Sequence, residues 1–242
     1  MEIAQKVLAD TRIEHHQYVV IAGSHAYGTA VEGSDIDIRG WYFPPVAHLI
    51  GFPNKSDNCI VYPDEDVVLY TFHKFIHLLT QCNPNVVEQV GVPDNCKLKV
   101  TPFAQRVLDN LDLFLSKRVF YTFGGYANTM LKRFEQNDGH RNHKVDELKQ
   151  WKHLSHLIRL LYMGIDILKC HKVVTYREQE LDLLLSIRQG EVSLQRIMEL
   201  REQLESQLQY AYDQSTLQEQ ADMDGIQQLT TEMTFEYILS IF

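Results

Sequence analysis

The sequence is short of three things: paired cysteines, long apolar runs and positive charge. Its 242 residues include four cysteines, which show neither a C-x-x-C pair nor the spacing of metal ligands. Such cysteines are typical of reduced thiols in a cytosolic protein rather than of a disulfide-linked secreted domain. No apolar run reaches membrane length, and the N-terminus does not resemble a signal peptide. We therefore expect an unprocessed, cytoplasmic protein without a membrane partner.

The charge balance restricts the kind of partner. The chain carries 23 Lys and Arg against 32 Asp and Glu, a formal net charge of −9. This balance disfavours a broad, nonspecific nucleic-acid surface, which would need clustered cations, although a local basic groove remains compatible with it. Any contact with RNA or DNA is therefore expected to be confined.

The most informative segment joins a Gly-Ser pair to two aspartates. An apolar run, 18–22, ends at Gly23-Ser24, and Asp35 and Asp37 follow ten residues later at a second strand-like run. Side chains two apart in a strand share a face, and two carboxylates about 7 Å apart repel unless a cation, usually a divalent metal, lies between them. The Gly-Ser turn offers N–H groups and a hydroxyl to phosphates. The pattern predicts metal-dependent phosphoryl or nucleotidyl chemistry, the alternative being a turn and a strand whose aspartates face water.

Strand and helix patterns change near residue 102. Strands are predicted at 18–22, 36–43, 59–62 and 66–71, with helices at 4–15 and 72–81. Later helices are predicted at 103–111, 119–134, 145–169, 179–188 and 194–212. We predict an α+β fold in which a small mixed β-sheet domain, 1–102, is followed by an α-helical domain, 103–242.

The Gly-Ser and Asp-x-Asp spacing resembles the signature of the DNA-polymerase-β-like nucleotidyltransferase superfamily. The sequence at 23–28 and 34–40 is similar to that of a branch of predicted bacterial and phage nucleotidyltransferases, some associated with RNA ligases. The resemblance makes the first domain catalytic and implies that the helical domain contributes nucleotide or acceptor contacts. It implies that Asp35 and Asp37 act in catalysis and bind metal, Mg²⁺ or Mn²⁺. It also implies that Gly23, Ser24 and Ser34 bind nucleotide.

A third acid is expected on a neighbouring strand, because enzymes of this superfamily use three carboxylates around their metals. Asp66 opens the strand predicted at 66–71, and its position before the next helix resembles the family pattern. We predict that Asp66 is the third catalytic and metal-binding carboxylate. Asp64 and Glu65 are the alternatives, and all three could also be turn acids without such a role.

The helix predicted at 145–169 has two different sides. At about 100° per residue, leucines and isoleucines gather on one side, while Lys152, His156 and Arg159 fall along the other. A solvated face is the simpler interpretation. Residues 152–164, however, resemble the Lys-His-x-x-His-x-x-Arg-Leu-Leu-x-Met-Gly segment of the same family, which implies nucleotide binding. Lys152 and Arg159 would neutralise the triphosphate or the leaving pyrophosphate, and His156 would orient a phosphate or transfer a proton.

Three further features are assigned structural roles. Asn85 is predicted to cap a helix, with Glu88 reaching back to it, although related proteins carry a similar Asn-Pro-x-x-x-Glu run and a second role stays open. Arg188 is predicted to be a structural partner near a helix end rather than a ligand. The aromatic residues of 120–126 are assigned to the core.

The resemblance implies a definite reaction but no definite acceptor. An NTP would be the substrate, an NMP would pass to a hydroxyl, and pyrophosphate would leave. An RNA end is one acceptor, suggested by the RNA-ligase association. Transfer of AMP or UMP to a protein or a small molecule is an alternative. Outside the enzymes, a catalytically silent nucleotide-binding module is a further alternative, which the intact Asp-x-Asp motif disfavours.

Overall fold

A mixed sheet forms the N-terminal part of the chain. The computed structural model describes residues 2–9, 15–51, 58–62, 65–137 and 144–242. Its five-stranded sheet has the order β3-β4-β2-β1-β5. The strands are β1 (His16–Ala22), β2 (Asp37–Tyr42), β3 (Cys59–Tyr62), β4 (Val67–Thr71) and β5 (Lys97–Val100). β2 pairs in parallel with β4, whereas β1 is antiparallel to β2 and β5, and β3 is antiparallel to β4.

Helices surround this sheet and make up most of the later chain. They are α1 (Glu2–Leu8), α2 (Gly23–Tyr27), α3 (Val46–Ile50), α4 (Phe72–Thr80), α5 (Pro84–Val90), α6 (Pro102–Asp109), α7 (Arg118–Asn137), α8 (Lys144–Cys170), α9 (Leu181–Arg188), α10 (Leu194–Gln214) and α11 (Met223–Leu239). The α+β class is confirmed. None of the helices in the described ranges is long and apolar enough to cross a bilayer.

The two faces of the sheet pack against different parts of the protein. Residues of one parity, among them Val19, Ile38 and Leu69, form a small apolar cluster on one face with Val7 of α1. The opposite parity places Val20 and Trp41 in the larger core shared with the helices. Because β-strand side chains alternate between faces, Asp37 and Arg39 point to the same side as Trp41. The sheet face that meets the helices therefore also carries these charged residues.

The helix α8 lies in the middle of the helical part and packs against α7, α9 and α10. Its leucine side is buried as predicted, but Leu160, Met163 and Ile167 on other sides are buried too. A helix that is apolar on several sides is a core helix. The alternative of a solvated face is therefore wrong for Arg159, which is 2% exposed.

Several other expectations need correction. The four predicted strands are confirmed within one residue or two at each end. The strand β5, Lys97–Val100, was not predicted, because it has only four residues, two of them lysines, and lies at the edge of the sheet. The helices α2, α3 and α11 were not predicted either. Residues 10–14 of the first predicted helix lie outside the described residues. The boundary at residue 102 stays a prediction, and the larger core holds residues from both sides of it.

Candidate functional site

The Gly-Ser pair begins a short helix instead of a simple turn. The strand β1 ends at Ala22, and Gly23 opens α2 with a φ of +61°, in the left-handed region. A Cβ at Gly23 would collide with the side-chain carboxylate of Asp37. Only glycine allows the backbone of α2 to approach this carboxylate so closely. The two halves of the sequence motif are thus in direct contact.

Two acids lie side by side at the start of the parallel strands. Because Ile38 pairs with Val67, Asp37 and Asp66 occupy neighbouring positions just before this pair. Nη2 of Arg39 donates to Oδ1 of Asp37 at 3.0 Å and to Oδ1 of Asp66 at 2.5 Å. The guanidinium therefore provides the positive charge between the two carboxylates.

The two carboxyl groups differ in their affinity for a proton. Burial, together with a hydrogen bond to Asp66, raises the pKa of Asp37 to about 6, against the opposing charges of Arg39 and Lys152. Burial also acts to raise the pKa of Asp66, but hydrogen bonds to Asp37 and Arg39 and the nearby cations lower it overall. Such a pair of interacting carboxylates favours the binding of a further cation beside it.

The acids fit part of a magnesium or manganese site. Two adjacent carboxylates supply the hard oxygen ligands that these ions prefer, and Mg²⁺ usually takes only one or two protein carboxylates, with substrate phosphates and water completing its shell. Among the described residues, no group of three or more His, Cys, Asp or Glu is placed to hold a metal ion. A metal here would therefore depend on the substrate for further ligands.

Asp35 and Ser34 lie outside the strand. The strand β2 begins at Asp37, so Asp35 precedes it and is exposed. The argument that both aspartates share one strand face is therefore wrong for Asp35, and its metal-binding role stays a prediction. Oγ of Ser34 accepts from the N–H of Val31 at 2.9 Å and from Nη2 of Arg188 at 3.4 Å. These contacts tie the segment before β2 to the end of α9.

The alternatives to Asp66 differ in their surroundings. Oε1 of Glu65 accepts from Nζ of Lys6 at 2.7 Å, which ties this acid to α1. Asp64 lies outside the described residues. Asp66 is the acid of this group that contacts Asp37 through the shared Arg39. Of the two described acids the geometry favours Asp66, and its role as the third carboxylate stays a prediction.

A cavity of about 680 Å³ adjoins α2 and the charged face of the sheet. This volume is in the range of small-molecule and cofactor sites. Six of the residues predicted from the sequence line it: Gly23, Ser24, Asp37, Lys152, His156 and Arg159. Asp35, Asp66 and Ser34 are not among the described residues that form its lining.

The rest of the lining was largely missed by sequence reasoning. Arg39, Arg133 and Arg188 add positive charge, whereas Tyr70 and Tyr126 add aromatic surface. Arg188 lines the cavity besides contacting Ser34, and its assignment as a structural partner rather than a ligand stays a prediction. The assignment of the aromatic residues of 120–126 to the core holds for the fully buried Phe123 and is wrong for the exposed Tyr121, while Tyr126 packs against the core and also lines the cavity.

A buried ion pair lies beside the cavity. Nη2 of Arg159 donates to Oε2 of Glu88 at 2.9 Å and lies 3.0 Å from Nδ1 of His156. The guanidinium carbon is 3.5 Å from the centre of the Tyr27 ring, and the Tyr27 hydroxyl donates to Oε1 of Glu88 at 2.7 Å. These contacts join α2, α5 and α8.

Glu88 is therefore not part of a helix cap. The N-cap of α5 is Asn83, whose side chain accepts from the N–H of Asn85 at 3.0 Å. Pro84 occupies the first turn, where a proline favours the helix start, and this shifts the cap two residues upstream of the predicted position. The carboxylate of Glu88 is free to turn inward to Arg159.

Burial controls the ionisation of this cluster. It lowers the pKa of His156 well below the usual 6.5, and the charge of Arg159 acts in the same direction. Burial also raises the pKa of Tyr27 well above its usual value. At pH 7 His156 and Tyr27 are neutral, and the charge of Arg159 is balanced by Glu88.

The cavity thus brings the Asp37 carboxylate and several cations together in a volume typical of small-molecule and cofactor sites. Over residues 3–232 the chain matches the family model described as RlaP, RNA repair pathway DNA polymerase beta family, and it belongs to that family. This confirms the predicted DNA-polymerase-β-like relationship and supports nucleotidyltransferase activity in general. A comparison with curated proteins found no match.

Proposed function

We propose that this protein transfers an NMP from an NTP to a hydroxyl acceptor in the presence of Mg²⁺ or Mn²⁺. The observation that carries the proposal is the direct approach of Gly23 to the carboxylate of Asp37 at the cavity. A glycine-allowed backbone beside an acid brings a phosphate-binding segment and a candidate metal ligand within reach of one ligand. A site that only bound a neutral molecule would not need this arrangement.

In this reaction the acceptor oxygen attacks the α-phosphorus of the NTP. A new P–O bond forms, the bond between the α-phosphorus and the bridging oxygen breaks, pyrophosphate leaves, and the hydroxyl loses its proton. Asp37 and Asp66, with Asp35, would hold the metal, which supplies charge neutralisation and lowers the pKa of a bound hydroxyl.

The other predicted residues act on the phosphates. The backbone of Gly23 and the buried hydroxyl of Ser24 would bind phosphate oxygens. Lys152 is exposed on α8 and lines the cavity close enough to influence both Asp37 and Asp66. Its ammonium would stabilise the negative charge that develops on the leaving pyrophosphate.

An RNA end is the acceptor that the observations favour. The family description refers to an RNA repair pathway. Arg133 and Arg188 add positive charge at the cavity in a chain whose net charge is −9, so the cationic surface is local, as RNA binding at a confined site requires. A protein or a small molecule is the alternative acceptor.

Pyrophosphate release tests the proposal. The wild type is incubated with each of the four NTPs, Mg²⁺ and RNA with a free 3′-hydroxyl, and the same assay is run with protein and small-molecule acceptors. Asp37→Asn should abolish release, because it removes a carboxylate charge next to Gly23, whereas Asp112→Asn, at an exposed position, should behave as the wild type. If the wild type releases no more pyrophosphate than Asp37→Asn with every acceptor, the proposed transfer activity is refuted.

A further inference from the structure

The hydrogen bond between Arg159 and His156 determines which nitrogen of the imidazole carries a proton. A guanidinium has only donors and stays protonated at any pH that a protein tolerates. Since Nη2 of Arg159 lies 3.0 Å from Nδ1 of His156, Nδ1 must be the acceptor. A neutral imidazole whose Nδ1 accepts carries its proton on Nε2.

We propose that Glu88, Arg159 and Tyr27 lock His156 in the Nε2–H form, and that this N–H donates a hydrogen bond to a phosphate oxygen of a polyphosphate bound in the cavity. Arg159 and Glu88 are then positioning residues that act through His156. The assignment of the polyphosphate to an NTP rests on the proposed function, whereas the lock itself does not.

The lock is rigid because each member has more than one partner. Arg159 contacts Glu88, the Tyr27 ring and His156, and its Nη1 also lies 2.8 Å from Sδ of Met163. Its side chain is 2% exposed and that of Glu88 10%. A guanidinium enclosed in this way cannot turn to another partner without leaving Glu88 as an unpaired buried charge. Arg159 is thus unsuited to follow a moving phosphate.

Burial, together with the charges around His156, explains why it donates in the neutral form. The ionisable groups that face it are Arg133 of α7, Lys152, His153 and Arg159 of α8, and Tyr27 of α2, with Glu88 of α5 behind Arg159. The cations among them oppose a second proton on the imidazole and attract an anion into the cavity. A neutral N–H donor can bind a phosphate oxygen across the pH range in which an imidazolium would lose its proton.

Nitrogen NMR of the histidine side chains tests the lock without any ligand. Long-range ¹H–¹⁵N spectra of the wild type should show His156 with an unprotonated Nδ1 and a protonated Nε2, unchanged between pH 8 and pH 6. The signal is assigned by its loss in His156→Gln. A protonated Nδ1, or an imidazolium at pH 6, would overturn the proposal.

A paired substitution tests the positioning residues. Arg159→Met alone leaves Glu88 buried without a partner and can prevent folding, so it is combined with Glu88→Gln, which removes both charges at similar volume. In this double variant His156 should populate both tautomers and should titrate closer to its ordinary pH. A His156 that still shows only Nε2–H and does not titrate would show that Arg159 does not set its state.

Binding of inorganic tripolyphosphate and of ATP, each with Mg²⁺, tests the role of the N–H donor. Calorimetry should show His156→Leu binding both about 10- to 100-fold more weakly, because a hydrogen bond to a charged group is lost. His156→Gln, whose amide can present an N–H near the position of Nε2, should stay within about threefold of the wild type. His77→Gln, at an exposed position of α4, is the control.

The outcomes separate this inference from the proposed function. If the tautomer is as stated and His156→Leu weakens tripolyphosphate binding, but no pyrophosphate is released in any transfer assay, the proposed function fails and the inference stands. If transfer occurs but His156→Leu binds both probes as tightly as the wild type, the inference fails alone. Wild-type protein that binds neither probe would overturn the phosphate contact.

Discussion

Removal of the Glu88 carboxylate should destabilise the protein more than removal of any surface acid. In Glu88→Ala the guanidinium of Arg159, 2% exposed, keeps its charge but loses its counterion, and the Tyr27 hydroxyl loses its acceptor. An unpaired buried charge costs about 3–5 kcal/mol, because water cannot replace the missing partner. We expect the free energy of unfolding to fall by an amount in this range.

Urea denaturation followed by circular dichroism measures the effect, provided that the dependence on urea concentration is unchanged. The matched control is Glu199→Ala, which breaks the ion pair with Arg196. The Arg196 side chain is 62% exposed and the Glu199 side chain is 48% exposed. The control should lose less than about 0.5 kcal/mol. Combining Glu88→Ala with Arg159→Met should recover part of the loss, since no buried charge remains. A loss below about 1 kcal/mol for Glu88→Ala would refute the reasoning.

Three more predictions concern the cavity. Gly23→Ala should reduce pyrophosphate release at least about 100-fold, because a side chain is strained at a φ of +61° and displaces the Asp37 carboxylate. A steady-state rate of release within about threefold of the wild-type rate would contradict this. Arg188→Met should raise the KM for the NTP about tenfold, because it removes a cation from the cavity and the contact with Ser34. An unchanged KM would count against a role of Arg188 in binding the NTP. The folded-state pKa of His156 lies below 6.5, so the unfolded chain binds a proton first as pH falls and stability is lost below about pH 6.5. Urea denaturation of His156→Gln at pH 7.5 and pH 5.5 should therefore show a smaller loss on acidification than the wild type, and an equal loss would show that His156 is not held neutral.

The parts that were predictable from the sequence are those that depend on residues close together in the chain. The apolar runs at 18–22 and 36–43 predicted two strands, and the structure pairs them, as strands close in sequence usually do. The start of β2 at Asp37 was not predictable to the residue, since strand ends depend on pairing as well as on composition. The predicted strand, 36–43, begins one residue before the observed one, and Asp35 precedes both.

The parts that could not be predicted are contacts between residues distant in sequence. Glu88 and Arg159 are 71 residues apart, and Ser34 and Arg188 are 154 apart, so no local period relates them. The wheel of α8 predicted a charged row but not that Arg159 within it is buried, because neighbouring helices and α5 decide burial. Only the resemblance of the segment that contains Arg159 to a family motif indicated a role at the site.

The fate of the label in α- and γ-labelled NTP tests nucleotidyl transfer most directly. With Mg²⁺ and RNA bearing a 3′-hydroxyl, label from the α-phosphate should appear on the RNA in equal amount to the pyrophosphate released, and label from the γ-phosphate should appear only in pyrophosphate. Asp37→Asn should show neither. Label from the γ-phosphate on the acceptor, or α-label that never leaves the free nucleotide with any acceptor, would contradict the proposed reaction.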